Sequence, residues 1–592
     1  MNVLLVVGLG GALLYAASRI YPFWIGRVFA LDDRTPPPSE RFADGKDYVK
    51  SPTHVVFAHH FASIAGAGPI VGPIIALSFG WGWSWLWIVF GGILYGAVHD
   101  MTSMCVSLRE GGKTIAEIAR RTLGKRGYLL FVAFLLIVIS LVNAIFLKLS
   151  ASALASLYPL SDLGLAPDQT LLRTVTRDGV PYGKIGGIAT TSVVVFTLFA
   201  PLLGYLITRR GWGAARALGL AAAVCVAGVL LGFRWPVAIE PGTWMLLLAA
   251  YVFVACWMPV WLLLQPRDFM NVQLLYGGLI LLLASSVVAG VGGGGMQMDV
   301  SRVAAGSAKL GPVWPILFIT IACGAISGFH SLVATGTTIK QIPRETDCRR
   351  IGYNAMLLES FLALLVLVAV GSQLDASGYA TAMATKGGAI LTFAVGTGRM
   401  FEHLGIPMAV GAVMGLLVIE GFLVTTLDTA VRLARYLCEE LWGSLWRGFP
   451  PPLLRHPLFN TSCAVGMMLL LAYSEKAYTA LWPFFGAGNQ LIGALSLTTV
   501  SLWLLQRRKP VWFTALPAIF MVATAVGALA WLVKGRLSAE DGKPVPYVIV
   551  GAGVLLLVLC VGFVLVAAGR VYAALRQERA PAAPGGEGVP GA

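Results

Sequence analysis

Charge is scarce in this chain. Only 12 % of its 592 residues are Asp, Glu, Lys or Arg, against 57 % apolar. A soluble domain is roughly a quarter charged, and a core surrounded by water needs more polar surface than this. The scarcity excludes a disordered chain and a soluble multidomain enzyme, and points to a polytopic membrane protein. Paired cysteines are lacking too. The eight cysteines form no CxxC motif and nearly all lie in apolar stretches. They read as small buried hydrophobes rather than disulfides or metal ligands. No basic stretch precedes segment 2–18 and no clear cleavage site follows it, which favours a retained first span over a cleaved signal peptide. No nucleophile triad, P-loop or zincin motif is present, so an enzyme is disfavoured.

What is present is a series of apolar runs. About 20 residues cross a bilayer as a helix, and that ruler predicts about fifteen spans. They lie near 2–20, 54–79, 83–108, 128–150, 185–208, 214–234, 243–264, 272–292, 313–338, 351–372, 407–431, 457–474, 488–506, 511–533 and 546–569. The net charge of +15 is gathered in short runs between them. Arg27, Arg34, Arg41, Lys46 and Lys50 fill the first linker, whereas the loop around Gly82 has no basic residue. Arg109–Arg126, Arg209–Arg210, Lys340–Arg350, Arg507–Lys509 and Arg570–Arg579 then fall on the same side as the first linker. Arg173, Arg177 and Lys184 go against the pattern. The bias predicts the N-terminus outside and the C-terminus in the cytoplasm, and it is no sign of nucleic-acid binding. Segment 113–124 reads as a cytoplasmic amphipathic helix. Segment 388–404 is too polar and broken to cross alone, and we place it at the outer interface. Residues 580–592 read as a disordered Pro/Gly-rich tail.

The informative features are irregularities inside apolar spans, because a broken helix survives in a membrane only where protein or a water-filled cavity covers it. HHFASIAGAGPIVGP (59–73) carries Gly66, Gly68, Pro69, Gly72 and Pro73 in one span. An unwound centre there would free carbonyls for a cation and aim a half-helix start near Pro69 at an anion. Close packing through small residues is the alternative. The spacing is not GxGxxG after a strand, so no dinucleotide loop is expected. A second irregular span carries Pro259 in its middle and Pro266–Arg267–Asp268 at its cytoplasmic end. A third, ACGAISGFHSLVATGTTIK, holds a hydroxyl stripe, Ser327–Ser331–Thr335, at i and i+4. Such a stripe either completes an oxygen cage for Na⁺ or bonds back to its own helix. The spans containing Gly66 and Pro259 run in opposite directions five spans apart, as in a five-plus-five inverted repeat of the LeuT type, with halves about 54–234 and 243–431. Gly66 carbonyls would then sit near Ser331 and Thr335.

Ionisable residues within spans mark function. The candidates are His59, His60, His99, Asp100, His330, Glu359, Glu420 and Asp428. Asp428 precedes Arg432 by four residues, which allows an intrahelical ion pair. Adjacent histidines on a helix diverge by about 100°, so His59–His60 with His99 makes a poor metal or haem site. No metal and no cofactor is expected.

Several stretches together resemble the carbon-starvation protein A (CstA) family of bacterial inner-membrane transporters: HHFASIAGAGPIVGP (59–73), GAVHDMTSMCVSLREGG (96–112), WLLLQPRDFMN (261–271), CGAISGFHSLVATGTTIK (323–340), ETDCRRIGYNAMLLES (345–360), TTLDTAVRLARY (425–436) and LWPFFGAGNQLIGA (481–494). The resemblance runs from about 52 to 508. It implies uptake of small nutrients, peptides during carbon starvation or pyruvate by proton symport, and a LeuT-like fold of the amino acid–polyamine–organocation kind. The chain departs from the family pattern at His99, where Gln is expected, and at Ile339, where Pro is expected. The first departure bears on the proton path.

The expectation is an all-α polytopic membrane protein with a LeuT/APC-like five-plus-five inverted repeat and extra terminal helices. It divides into an N-terminal helix and linker (1–50), a transporter core (51–437), C-terminal helices (438–579) and the tail. Its function would be proton-coupled import of peptides or pyruvate across the bacterial cytoplasmic membrane. The alternatives are Na⁺ coupling and a membrane sensor that binds without transport. A His-ligated haem enzyme would betray itself by Soret absorbance. Substrate contacts are expected from His59, His60, Ser63, Gly66, Gly68, Ser327, His330 and Ser331. Ion or proton coupling is expected from Asp100, Glu420, Asp428 and Thr335. Asn489 and Gln490, after Trp482–Pro483, line a gate or cap a helix, and we favour the cap.

Overall fold

The long apolar runs fold as helices wherever no Gly or Pro interrupts them. In the computed structural model described here, residues 1–292, 296–298, 310–384, 388–446, 448–473, 475–537 and 547–579 are described. The tail expected at 580–592 lies outside them. Among the described residues, 11 helices are long and apolar enough to cross a membrane, or up to 12 with the bent pair Thr53–Ile64 and Gly68–Phe79. Two shorter apolar helices, Pro241–Ala255 and Pro457–Ala472, add to these. The protein is a multi-pass membrane protein.

The elements that bear on the site are α1 (Val3–Val28), α2 (Thr53–Ile64), α3 (Gly68–Ala76), α4 (Ala97–Arg109), α5 (Ile115–Leu154), α6 (Pro241–Ala255), α7 (Leu264–Val291), α8 (Gly328–Gly336), α9 (Ala355–Gln373), α10 (Met408–Leu445) and α11 (Glu475–Gln506).

The break expected near Gly66 is present. It separates α2 from α3 with a bend of 41°. The second break is not where Pro259 suggested. Helix α6 ends at Ala255, before that proline, and α7 starts at Leu264. Pro259 therefore lies between two helices and kinks neither. The carbonyls freed at the end of α6 are taken by arginines of α10. Arg432 donates to Ala255 O at 2.8 Å and Met258 O at 2.7 Å, and Arg435 to Cys256 O at 3.0 Å. Such replacement keeps irregular backbone satisfied in a dry interior. Pro266–Arg267–Asp268, expected at the cytoplasmic end of the preceding span, forms instead the buried first turn of α7.

The second broken span is 313–340. It is helical over 315–320, after an extended Trp314, non-helical over 321–327, and helical again in α8. The two broken spans cross antiparallel at their breaks. A side chain on Gly68 would collide with Cys323 Sγ, and one on Gly72 would lie 2.7 Å from Thr320 O. At their other ends His60 meets Thr338. The strip before α2 is stitched to the end of the same span: Val49 N donates to Lys340 O, and Ser51 N to Gln341 O, both at 3.1 Å.

The helix expected at 113–124 forms over 115–123 of α5, and non-helical Gly124, whose φ of 81° suits a residue without Cβ, parts it from the span expected at 128–150. Two further expectations change. Segment 388–404 contains an unbroken helix, Gly388–Glu402, most of it buried. The fold is not wholly α. Loop 155–184 carries a three-stranded antiparallel sheet, β1 (Tyr158–Pro159), β2 (Thr174–Arg177) and β3 (Val180–Gly183), in the order β1-β3-β2. Its hairpin turns at Asp178–Gly179, both with positive φ, as a two-residue type I′ loop requires. Three of the basic runs assigned to one side, 109–126, 340–350 and 507–509, are joined by ion pairs. Arg109 pairs with Glu345 at 2.9 Å, and Arg507 with Glu110 at 2.8 Å.

Candidate functional site

The site is built where the two breaks cross. An apolar run cannot accommodate a charge in a membrane without partners, so each ionisable side chain here can be traced to what holds it. Asp100, on α4, accepts from two imidazoles: His99 Nδ1 at 2.7 Å and His330 Nδ1 at 2.8 Å. His330 lies in the first turn of α8. Its other nitrogen, Nε2, lies 3.4 Å from Glu359 Oε2 on α9. All four side chains are fully buried. They form a chain from His99 through Asp100 and His330 to Glu359.

The protonation logic of this chain is simple. A carboxylate accepts, so the His330 proton sits on Nδ1 facing Asp100. A neutral His330 then turns a lone pair toward Glu359, and two acceptors face each other across 3.4 Å. Neither oxygen of Glu359, nor Nε2 of His330, has a hydrogen-bond partner among the described residues. In a dry interior such a pair is tolerated only if it shares a proton or a cation.

A second charged cluster joins α2, α7 and α10. His59 Nδ1 lies 2.6 Å from Asp268 Oδ2. Arg267 reaches Asp428 Oδ2 at 2.7 Å and Thr425 Oγ1 at 2.9 Å, and also donates to the Tyr251 hydroxyl. Tyr251 in turn donates to Asp428 at 3.0 Å. The intrahelical Asp428–Arg432 pair expected from spacing does not form. Arg432 pairs with Asp47 of the first linker at 3.0 Å. Outside the membrane-spanning segments, burial would raise the Asp47 carboxyl. The charge of Arg432, backed by Tyr436, Lys340 and Arg435, outweighs it and holds the carboxyl below its ordinary value.

The other predicted residues separate into two groups. His60 bonds Thr338 at 2.8 Å, and Ser63 bonds Thr429 at 3.2 Å. On the side where a Cβ would stand, Gly66 borders Phe146 and Thr426. The hydroxyl stripe is engaged by protein groups. Ser331 donates back to Gly328 O and meets Ser496 at 2.9 Å. Thr335 donates to Ser331 O at 2.7 Å and accepts from Ile115 N at 3.0 Å, which holds the start of α5. Ser331 and Thr335 thus bond back to their own helix. Ser327 shares hydrogen bonds with Asn489, whose Oδ1 also accepts from Phe329 N at 2.9 Å. Asn489 thus caps α8 from α11, and α11 runs on through Pro483. Glu420 stands apart, fully buried, with neither carboxylate oxygen hydrogen-bonded among the described residues.

Beside the breaks, where α3 begins, is a cavity of about 100 Å³ lined by Gly68, Gly72, Ile319, Thr320, Ala322 and Gly486, among others. Sequence reasoning missed Asp268 and Arg267 as buried partners. It also filed Cys323 among the small hydrophobes, although its sulfur lies within 4.8 Å of the nearest ligand atoms of His330 and Glu359.

Known proteins align with most of this chain. A family model for the carbon starvation protein CstA matches residues 2–385 and 372–528. The peptide transporter CstA of Bacillus subtilis (strain 168) is 28% identical, covering 96% of this chain and 96% of its own. The pyruvate/proton symporter BtsT of Escherichia coli (strain K12) is 28% identical, covering 87% of this chain and 79% of its own. Among solved structures, a mutant manganese transporter of Eremococcus coleocola aligns over 90% of this chain and 99% of its own, with a TM-score of 0.46 and 11% identity.

Proposed function

The chain belongs to the carbon starvation protein CstA family, and from that premise we propose that it is a secondary active transporter that imports small nutrients, peptides or pyruvate, by proton symport. The names of its relatives support both substrate classes, one as a peptide transporter and one as a pyruvate/proton symporter. The observation that carries the coupling ion is the His330–Glu359 pair, two buried acceptors that need one proton between them. That proton is held at the crossing of the two broken spans, where substrate sites form in secondary transporters. The cavity beside α3 is the candidate seat for a substrate carboxylate, next to a half-helix start. Proton entry and exit would use His99 and Asp100. Glu420 and Asp428 remain candidates along α10.

The proposal extends to topology. About fifteen crossings result if the bent pair, the two shorter apolar helices and the 313–340 segment each cross once. The N-terminus is outside and the C-terminus is cytoplasmic, in the bacterial cytoplasmic membrane. The antiparallel crossing of 53–79 with 313–340 supports an inverted repeat whose second half begins near 313 rather than near 243. Na⁺ coupling has less support, because Ser331 and Thr335 already bond protein groups.

The test is uptake of labelled pyruvate into proteoliposomes under an inward proton gradient without Na⁺. Accumulation that collapses with a protonophore, and that excess dipeptide reduces, is the expected result. Tight vesicles that accumulate neither pyruvate nor a labelled dipeptide would overturn the reading. Accumulation that needs Na⁺ would move the coupling to that ion.

A further inference from the structure

We infer that Cys323, His330 and Glu359 form a binding site for a divalent transition-metal ion of the zinc class. One ligand atom from each lies within 4.8 Å of the others, and all three residues are buried. They come from three separate elements: the non-helical segment 321–327, α8 and α9.

Three observations point to a ligand rather than to packing. Glu359 has two carboxylate oxygens without a hydrogen-bond partner among the described residues, and His330 Nε2 has none either. Buried polar atoms are nearly always partnered, and one proton shared by His330 Nε2 and Glu359 Oε2 would still leave Glu359 Oε1 without a partner. His330 is oriented as a metal-binding imidazole is, with the opposite nitrogen held by a carboxylate, here Asp100 Oδ2 at 2.8 Å. Asn489 Nδ2 lies 3.7 Å from Cys323 Sγ and turns a donor toward the sulfur.

The donor set selects the ion. Ca²⁺ and Mg²⁺ take oxygen ligands, whereas thiolate and imidazole together suit zinc, cobalt and their neighbours. Zinc–ligand lengths of 2.0–2.3 Å put the donors of a tetrahedral site roughly 3.3–3.8 Å apart. The His330–Glu359 separation of 3.4 Å already meets that spacing. The 4.8 Å bound on the remaining separations exceeds that spacing, so the sulfur must draw closer on binding. Three protein ligands leave a fourth position open. The ion would sit where the proposed shared proton sits, but its binding does not depend on transport.

The test is titration of the purified full-length protein with Co²⁺ after removal of any affinity tag. The expected result is a near-ultraviolet thiolate-to-cobalt band with visible ligand-field bands, saturating at one ion per chain and erased by Zn²⁺. Cys323→Ser loses the near-ultraviolet band. Glu359→Gln removes a charged ligand and weakens binding by at least the roughly tenfold that loss of an outer partner costs. Cys560→Ser, which alters another buried cysteine, keeps both bands. Variants are compared only when monodisperse and melting within a few degrees of wild type. The wild-type titration decides the matter even if a variant does not fold. Absence of the near-ultraviolet band in the wild type overturns the site, as does a band that survives Cys323→Ser. Because the readout is a spectrum, failure of proton-driven uptake leaves this result standing, and the reverse holds too.

Discussion

Arg267 at the start of α7 and Asp428 in the middle of α10 are 2.7 Å apart, with both side chains almost wholly buried. Nothing in their local sequence pairs them. The bond ties together residues 161 positions apart in the chain, and it shares Tyr251 with α6. Removing one partner of a buried ion pair costs about 3–5 kcal/mol, because the other charge is left uncompensated. Arg267→Ala is therefore expected to lower the melting temperature sharply and to aggregate in mild detergent. Arg267→Lys keeps the charge and loses the fork, so it falls in between. Thermal unfolding of the purified variants checks the order, and an unchanged melting curve for Arg267→Ala would remove the pair from the stabilising contacts.

Glu359→Gln takes away the proton-binding partner of His330 and keeps its shape. Gradient-driven accumulation should disappear, while exchange of internal for external substrate, which needs no net proton movement, should persist. Counterflow and gradient-driven uptake in the same vesicles separate the two. Equal loss of both would assign Glu359 to folding or substrate contact.

His99→Gln replaces one imidazole beside Asp100 with an amide that still donates a hydrogen bond. Uptake is expected to continue with its pH profile displaced. A profile identical to wild type would show that His99 holds Asp100 in place and takes no part in titration.

Gly68→Ala places a methyl group against Cys323 Sγ at the crossing of the two broken spans. Overpacking of this kind costs about 1–3 kcal/mol and shifts backbone, so transport should fall by at least tenfold. Gly82→Ala meets nothing within 4 Å and should transport normally. Parallel uptake assays of the two variants test this.

Acid should loosen the tie between the first linker and α10. The Asp47 carboxyl titrates below its ordinary value because Arg432 and its neighbours outweigh burial. The stabilisation is fully present above the ordinary carboxylate range and is lost as pH falls through the lowered value. Asp47→Asn removes that dependence. The gap in melting temperature between wild type and this variant should be widest near neutrality and narrow as pH falls below the ordinary carboxylate value. A gap that widens in acid would reverse the sign of the argument.

The break at 65–67 was legible because Gly and Pro announce unwinding wherever they sit. The span holding the break at 321–327 was legible as irregular from its hydroxyls, but the place of the unwinding was not. The sequence of the break, IACGAIS, has no proline, and its unwinding comes from outside: Gly328 lies against the backbone of α11, and Asn489 from the same helix caps α8. Pro259 misled in the opposite way, since it fell between helices whose carbonyls distant arginines serve. The ionisable residues were visible as candidates, but their partners were not. Spacing offered Arg432 to Asp428, and the fold supplied Arg267. The Asp178–Gly179 hairpin carried a readable turn signal that the search for spans passed over.

The two hydrogen bonds from Val49 and Ser51 to Lys340 and Gln341 fasten the margin of one broken span to that of the other. The pair resembles scissors pinned near the handles rather than at the crossing. If the blades part while the pin holds, they open at the end away from the stitch, toward α3 and residues 313–320. Access from the stitched end requires the pin itself to come out. The two faces of the membrane would then open by different motions, one a swing and the other an unfastening.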